Sequence, residues 1–131
     1  MTLPEHYADD VIFFFTRRPD ALGLYEELFA LLDARFPDCS VKVQKTQISF
    51  YSPRLFAMVS LPRRKAEPGL ILTLGLPRRL DTPRAAFVTE PYPGRWTHHF
   101  PITDKSQLDA ELLALADEAL TFSREKRRSA K

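Results

Sequence analysis

The sequence predicts an α+β protein: an about five-stranded, mostly antiparallel sheet with N- and C-terminal helices packed on one face. Helical patterns of apolar residues lie towards both ends of the chain. Between them, short apolar or alternating segments are separated by loops too short for helical crossovers. The length of 131 residues suits one domain. We place that domain at residues 1–123 and a basic flexible tail at residues 124–131.

The first clear helix covers residues 19–36, where apolar residues recur at three- and four-residue steps. Pro19 suits its first turn, because the N–H that proline lacks has no helical partner there. The preceding segment, residues 7–15, fits either a short helix or a strand. Its periodicity does not distinguish the two.

The last helix carries a strict apolar stripe over residues 108–122. Two pairs of side chains at its start fit an N-terminal capping pattern. They are Ser106 with Asp109 and Asp104 with Gln107.

Apolar and polar residues alternate after residue 40, but the parity of the apolar positions changes. Val41 and Val43 are odd, whereas Ile48 and Phe50 are even. A bulge or tight break near residues 44–46 is therefore required if both halves bury their apolar side. Further strands are predicted at residues 55–61, 69–76, 85–89 and 95–102.

Charge is distributed unevenly, although the net charge is only +2. Residues 1–38 carry 8 acidic and 3 basic side chains, and residues 104–123 carry 5 acidic side chains and 1 basic side chain. Residues 39–103 carry 3 acidic and 10 basic side chains. Acidic groups thus concentrate in the helices. If the helices cover one sheet face, we expect the opposite face or its rim to be electropositive and to favour an anionic partner.

The segment QKTQISFY aligns a cation, an amide and two hydroxyls on one side of a strand, at Lys45, Gln47, Ser49 and Tyr51. Such groups can hold a phosphate or a carboxylate. The alternative interpretation is the solvated face of a half-exposed antiparallel sheet.

The segment EPYPGRWTHHF predicts a turn at residues 92–95 that leads into a strand. On that strand Trp96 and His98 share one face, and Arg95 and His99 share the other. The two histidines therefore do not converge, and no metal site is predicted. His98, among aromatic residues, is typical of a hydrogen-bonded core histidine, whereas His99 beside Arg95 is the better anion contact.

Two further segments are rich in arginine. PRRLDTPR places Arg78, Arg79 and Arg84 around Asp81, and these arginines would either clamp a planar anion or shape the loop through an Arg–Asp pair. In PRRKAEPG, residues 62–69, the charges are interpreted as a solvated loop or as a weak, non-specific attraction to nucleic acid.

Several classes of protein lack support in the sequence. There is no Gly-rich phosphate loop, no His-Glu-x-x-His motif and no Gly-x-Ser-x-Gly motif, so no cofactor is predicted. Cys39 is the only cysteine, which excludes an intramolecular disulfide and fits a reducing cytoplasm. No signal peptide is visible, and no apolar run approaches the ~20 residues that cross a bilayer. We expect a cytoplasmic protein without a membrane partner.

The segments VQKTQISFYSPRLFAMVSL, GLILTLGLPRRLDTPR, EPYPGRWTHHFPI and LDAELLALADEAL resemble an uncharacterised bacterial family, a domain of unknown function. The resemblance covers residues 10–123 and includes a KTQISF…EPYPxRWTHH signature. The layout is also similar to small domains of predicted DNA-binding or iron-chaperone-like families. The resemblance implies one shared site at the signature residues but names no activity. The signature positions are Lys45, Thr46, Gln47, Arg84, Arg95, Trp96, His98 and His99.

Together these observations predict a domain that binds an anionic ligand, a phosphorylated metabolite or a nucleic-acid backbone, at a basic polar site on the sheet. Gln47 and Tyr51 would orient the ligand, and Trp96 would stack on a ring. The predicted ligand-binding residues are Lys45, Thr46, Gln47, Tyr51, Arg84, Arg95, Trp96, His98 and His99.

Two alternatives remain open at this level. The first is a hydrolase or transferase in which His98 or His99 is the general base. Lys45 and Arg95 would then stabilise developing negative charge. The second is an interaction domain that forms a homodimer through the uncovered sheet face, with Trp96 in an exposed apolar patch.

Overall fold

The computed structural model describes residues 1–125, which form three α-helices, a short 3-10 helix and six strands. The predicted α+β class is confirmed. The helices are α1 (Tyr7–Phe14), α2 (Pro19–Arg35) and α3 (Ala110–Arg124), and the 3-10 helix is Lys105–Gln107. The strands are β1 (Ser40–Val43), β2 (Ile48–Tyr51), β3 (Leu55–Ser60), β4 (Leu70–Leu76), β5 (Phe87–Tyr92) and β6 (Arg95–Ile102).

The six strands form one sheet in the order β1-β2-β3-β4-β6-β5, and every neighbouring pair is antiparallel. There are six strands rather than about five because the break predicted near residues 44–46 is a complete hairpin turn. Within it the Gln44 N–H donates to the Gln47 carbonyl at 2.8 Å. Val43 therefore pairs with Ile48, and apolar residues of opposite parity face the same side.

The strand register divides the sheet into a covered face and an open face. The covered face carries the apolar core, and α2 and α3 pack against it as predicted. Ion pairs Arg35–Asp117 and Lys105–Glu27 link the two ends of the chain on this helical side. The open face carries a row that crosses the whole sheet: Lys42, Ser49, Met58, Thr73, His99 and Phe87.

Residues 7–15, which fitted either a helix or a strand, form helix α1. One side of this helix is fixed, because Val11 is buried and the Tyr7 hydroxyl lies 2.7 Å from that of Tyr25 in α2. The other side faces solvent, where Ile12 and Phe13 are 61% and 80% exposed. The helix therefore joins the core along one edge and leaves an apolar ridge outside it.

The two capping pairs predicted for α3 divide between two elements. Asp109 alone caps α3, where its carboxylate accepts from the Leu112 N–H at 3.0 Å. Asp104 and Gln107 form a capping box on the preceding 3-10 helix. Ser106 is itself part of this 3-10 helix, and its hydroxyl donates to Asp104.

The end of α3 differs from the predicted tail. Arg124 is the last residue of this helix, and its Nε donates to the Ser52 hydroxyl at 3.1 Å. The charge pattern had assigned Arg124 to the tail, because its contact with Ser52 is not encoded locally. Glu125 is the C-cap of α3, and the remaining tail residues, 126–131, lie outside the described residues. In the described part of the chain, no helix is both long and apolar enough to cross a membrane.

Candidate functional site

His98 lies on the covered face, where it is fully buried. The Leu80 N–H donates to its Nε2 at 2.9 Å, so the ring proton must be on Nδ1. Nδ1 lies 3.0 Å from the Trp96 carbonyl and donates to it. Burial lowers the pKa of His98, and nearby Arg78 lowers it further. His98 is thus a neutral core histidine with both nitrogens engaged, a geometry that provides no general base.

His99 lies on the open face and is only partly buried. Its Nδ1 is 3.0 Å from the Thr73 hydroxyl, and its ring stacks on Phe87 with centroids 4.4 Å apart. Burial lowers its pKa, and His98 adds to the effect. Its Nε2 makes no hydrogen bond to any residue that the structure describes. His99 therefore offers one free ring nitrogen in a fixed orientation.

A hollow of about 850 Å³ opens beside His99, and we call it the open-face hollow. The β1–β2 turn and the β3–β4 loop, residues 61–69, contribute its cations, whereas β5 and α1 contribute aromatic rings. Its lining residues are Phe14, Lys45, Thr46, Ser60, Leu61, Arg63, Arg64, Glu67, Ile71, Phe87 and His99.

The open-face hollow is electropositive because its cations lack partners. Among the described residues, Lys45, Arg63 and Arg64 form no ion pair. Glu67 supplies the carboxylate of the lining. The opposite situation holds beside the helices, where the acidic residues neutralise four cations. Those cations are Arg35, Arg78, Arg84 and Lys105.

Arg18 holds the β3–β4 loop in place. This arginine is 9% exposed, and its guanidinium donates to the carbonyls of Pro62, Arg64 and Glu67. At the end of the loop, the Gly69 N–H donates to a side chain of α2 at 3.2 Å. Arg63 and Arg64 are therefore presented by an anchored segment, although the sequence pattern had suggested a solvated loop.

Two further hollows adjoin the first. The loop hollow, about 850 Å³, includes Arg17, Arg63 and Lys65 in its lining. The α1 hollow, about 690 Å³, is mainly apolar and includes Phe13 and Lys45. Arg63 lines both the open-face hollow and the loop hollow, which makes their basic linings continuous.

Of the nine predicted site residues, the structure brings Lys45, Thr46 and His99 together in the open-face hollow. Lys45 lies in the β1–β2 turn, so its predicted position on a strand face is wrong, and Thr46 of the family signature lies beside it in the same turn. Gln47 does lie beside the strand, where its amide donates to Ser49 at 2.8 Å. Tyr51 is at the far end of β2, where a lysine of β1 lies over its ring.

The remaining predicted residues lie elsewhere. Arg84 binds the start of α3 through Asp109 and Glu111, so it shapes the loop, although not through Asp81. Arg95 shares the open face but packs against Gly75, where a Cβ would lie 2.6 Å from the guanidinium. Trp96 is on the covered side, beneath an arginine of the β4–β5 connection.

This distribution brings together only part of the predicted hydrolase or transferase site, because His99 and Lys45 line one hollow. Neither His98 nor Arg95 lines the hollow that contains Lys45. Within residues 1–125, no three His, Cys, Asp or Glu side chains form a group that could hold a metal ion. The homodimer through the open face stays a prediction, but the expected part of Trp96 in its exposed patch is wrong, because Trp96 lies on the covered side.

Comparison with known proteins places the chain in a family. Residues 13–123 match the domain of unknown function DUF5655, and the chain belongs to this family. The predicted family relationship is therefore confirmed. Searches of curated proteins and of solved structures found no match.

Proposed function

We propose that this DUF5655 domain binds the phosphate groups of an anionic ligand in the open-face hollow. One observation carries the proposal: Lys45, Arg63 and Arg64, none of them ion-paired within the described chain, line the same concavity as His99. Clustered like charges repel, and a bound anion relieves that repulsion. A concavity also concentrates the field of its cations towards an approaching anion.

Each lining group has a role that suits its chemistry. Arg63 and Arg64 can form paired hydrogen bonds to phosphate oxygens, and Lys45 adds a compact positive charge. Thr46 and Ser60 line the hollow with hydroxyl groups that donate or accept. These groups come from separate elements, so an anion would bridge the β1–β2 turn and the β3–β4 loop.

His99 would contribute a neutral hydrogen bond and not a charge. Burial lowers its pKa, so the ring is uncharged near pH 7. When the Thr73 hydroxyl donates to Nδ1, the ring proton resides on Nε2 and is available to a ligand oxygen. Thr73 thereby acts as a positioning residue for this donor.

The proposal is tested with tripolyphosphate as the probe and the variants Lys45→Gln and Lys42→Gln. Both lysines belong to the β1–β2 hairpin, but Lys42 lies over a tyrosine ring outside the hollow. We expect K45Q to weaken binding about fivefold, because one charge-assisted hydrogen bond is lost, and K42Q to change it less than twofold. Calorimetry gives the affinity, and amide chemical shifts locate the probe.

Glu67 provides a test of opposite sign. Glu67→Gln removes the carboxylate of the lining, so tripolyphosphate affinity should rise while the backbone latch to Arg18 is retained. Equal effects of K45Q and K42Q, with chemical shifts spread over the whole surface, would mean that the attraction is diffuse and that the hollow is not the site.

A further inference from the structure

We infer that the open-face hollow takes single-stranded nucleic acid, with one base stacked on Phe87 and its phosphates on the neighbouring cations. This inference rests on the proposed phosphate site and adds the class of ligand. Its independent observation is Phe87, a ring that is 57% exposed on edge strand β5 at the rim of the hollow. An exposed ring beside unpaired cations matches a base joined to a phosphate.

The ring of Phe87 is presented in a fixed orientation. It stacks on His99 with centroids 4.4 Å apart and an angle of 28° between the planes. Thr73 holds the other side of His99 through its Nδ1. One face of Phe87 is thus supported from below, and a base would extend the stack by one ring.

A strand fits the cations better than an isolated nucleotide does. The open-face hollow contains Lys45 and Arg64, the loop hollow contains Arg17 and Lys65, and Arg63 belongs to both. This gives a basic path that continues beyond one phosphate. The opposing carboxylates are few: Glu67 in the first hollow and Asp20 in the second, where Asp20 also accepts the Gly69 N–H.

Single-stranded ligands are favoured over a duplex for a geometric reason. Stacking on Phe87 requires a free base face, and in a duplex both faces of each base are covered by neighbours. Arg18 also anchors the loop that carries Arg63, so less ordering is needed on binding. The site therefore combines a rigid ring with a preorganised cationic loop.

The experiment compares tripolyphosphate, thymidine monophosphate, oligothymidylate and oligouridylate of about eight residues, and a hairpin duplex. Fluorescence anisotropy measures the affinity of each ligand, directly or by competition. We expect oligothymidylate or oligouridylate to bind at least about tenfold tighter than the mononucleotide, because several phosphates are engaged. The ratio between the two oligomers shows whether DNA or RNA is preferred. We expect the duplex to bind more weakly than the better single strand.

Phe87→Ala separates stacking from phosphate binding. It should weaken oligomer binding about fivefold or more but tripolyphosphate binding less than about twofold, because Phe87 affects the phosphate site only through its stack on His99. Phe13→Ala is the matched control, because Phe13 is more exposed but lies outside the open-face hollow. Circular dichroism verifies that both variants are folded.

The salt dependence of oligomer affinity reports how many phosphates contact the cations of the basic path. The five cations of the path, Lys45, Arg63, Arg64, Arg17 and Lys65, together predict a slope of log affinity against log salt of about −3.5 over about 50 to 200 mM. K45Q should reduce that slope by about 0.7.

Failure of the two proposals gives different results. If tripolyphosphate binds in the hollow but F87A leaves oligomer affinity unchanged, the phosphate site stands and the nucleic-acid inference falls. Mononucleotide affinity equal to that of the oligomers, or duplex affinity equal to that of the single strands, would also overturn the inference. Absence of tripolyphosphate binding would overturn both.

Discussion

Substitution by phenylalanine is expected to cost more stability at His98 and more tripolyphosphate affinity at His99. His98→Phe keeps an aromatic ring in the core, where His98 already stacks nearly parallel to Phe100. It removes both ring nitrogens. In His98, Nε2 accepts from the Leu80 N–H and Nδ1 donates to the Trp96 carbonyl. The change is therefore a loss of hydrogen bonds with little loss of packing.

The expected loss of stability follows from two backbone groups, the Leu80 N–H and the Trp96 carbonyl, which H98F leaves without a hydrogen-bond partner. Each buried polar group without a partner costs about 1–3 kcal/mol. Because phenylalanine adds apolar contact in return, we expect H98F to lower the free energy of unfolding by about 2–4 kcal/mol. The corresponding fall in Tm is about 10 °C for a domain of this size. His99→Phe loses only the Thr73 contact, so about 1 kcal/mol is expected.

Urea denaturation provides the measurement. The single tryptophan, Trp96, reports on the covered face, and far-UV circular dichroism reports on secondary structure. Tripolyphosphate binding should show the opposite ranking, because only His99 lines the open-face hollow. A stability of H98F within about 0.5 kcal/mol of the unsubstituted protein would show that these hydrogen bonds do not support the fold.

The pH dependence adds an independent measurement. Burial lowers the pKa of His98 in the folded state, so as pH falls below about 6.5 the unfolded chain binds protons that the folded state does not. Stability is therefore full above about pH 7 and decreases as pH falls towards 5. In H98F, the part of this loss of stability at low pH that comes from His98 should be absent. The part that comes from His99, whose pKa is also lowered, should remain.

Two further predictions concern the backbone that supports the site. Gly69→Ala should cost well over 2 kcal/mol in urea denaturation, because Gly69 has φ +81° and a Cβ would lie 2.0 Å from the Ile102 carbonyl oxygen. Gly94→Ala is its control, because Gly94 has φ +87° but open space around the position of a Cβ. We expect it to lower the free energy of unfolding by only about 1 kcal/mol. Equal losses of stability in the two variants would contradict the steric argument. Arg18→Met should destabilise the domain by about 1–3 kcal/mol and speed tryptic cleavage in the β3–β4 loop, since three backbone carbonyls lose their donor. Unchanged cleavage kinetics would refute the proposed latch.

The layout of the helices and strands follows from the amino-acid sequence, because the signals that encode it are local. Apolar spacing predicted α2 and α3, and short apolar or alternating segments predicted the strands, although β5 spans Phe87–Tyr92 instead of the predicted residues 85–89. The change of parity between Val43 and Ile48 required a break that the structure contains as a turn. Alternation also separated His98 from His99 on opposite faces of β6. Each of these conclusions depends on residues a few positions apart.

The contacts among the predicted site residues depend on packing between distant parts of the chain. Arg84 is held by acidic groups of α3, and Arg63 and Arg64 reach the hollow because Arg18 fixes their loop across more than forty positions of sequence. Lys45 of the β1–β2 turn lines the same hollow as His99 of β6, although neither β1 nor β2 is adjacent to β6 in the sheet. Local spacing contains no information about such contacts, because they depend on which face of the sheet the helices cover and on which loops lie beside the opposite face.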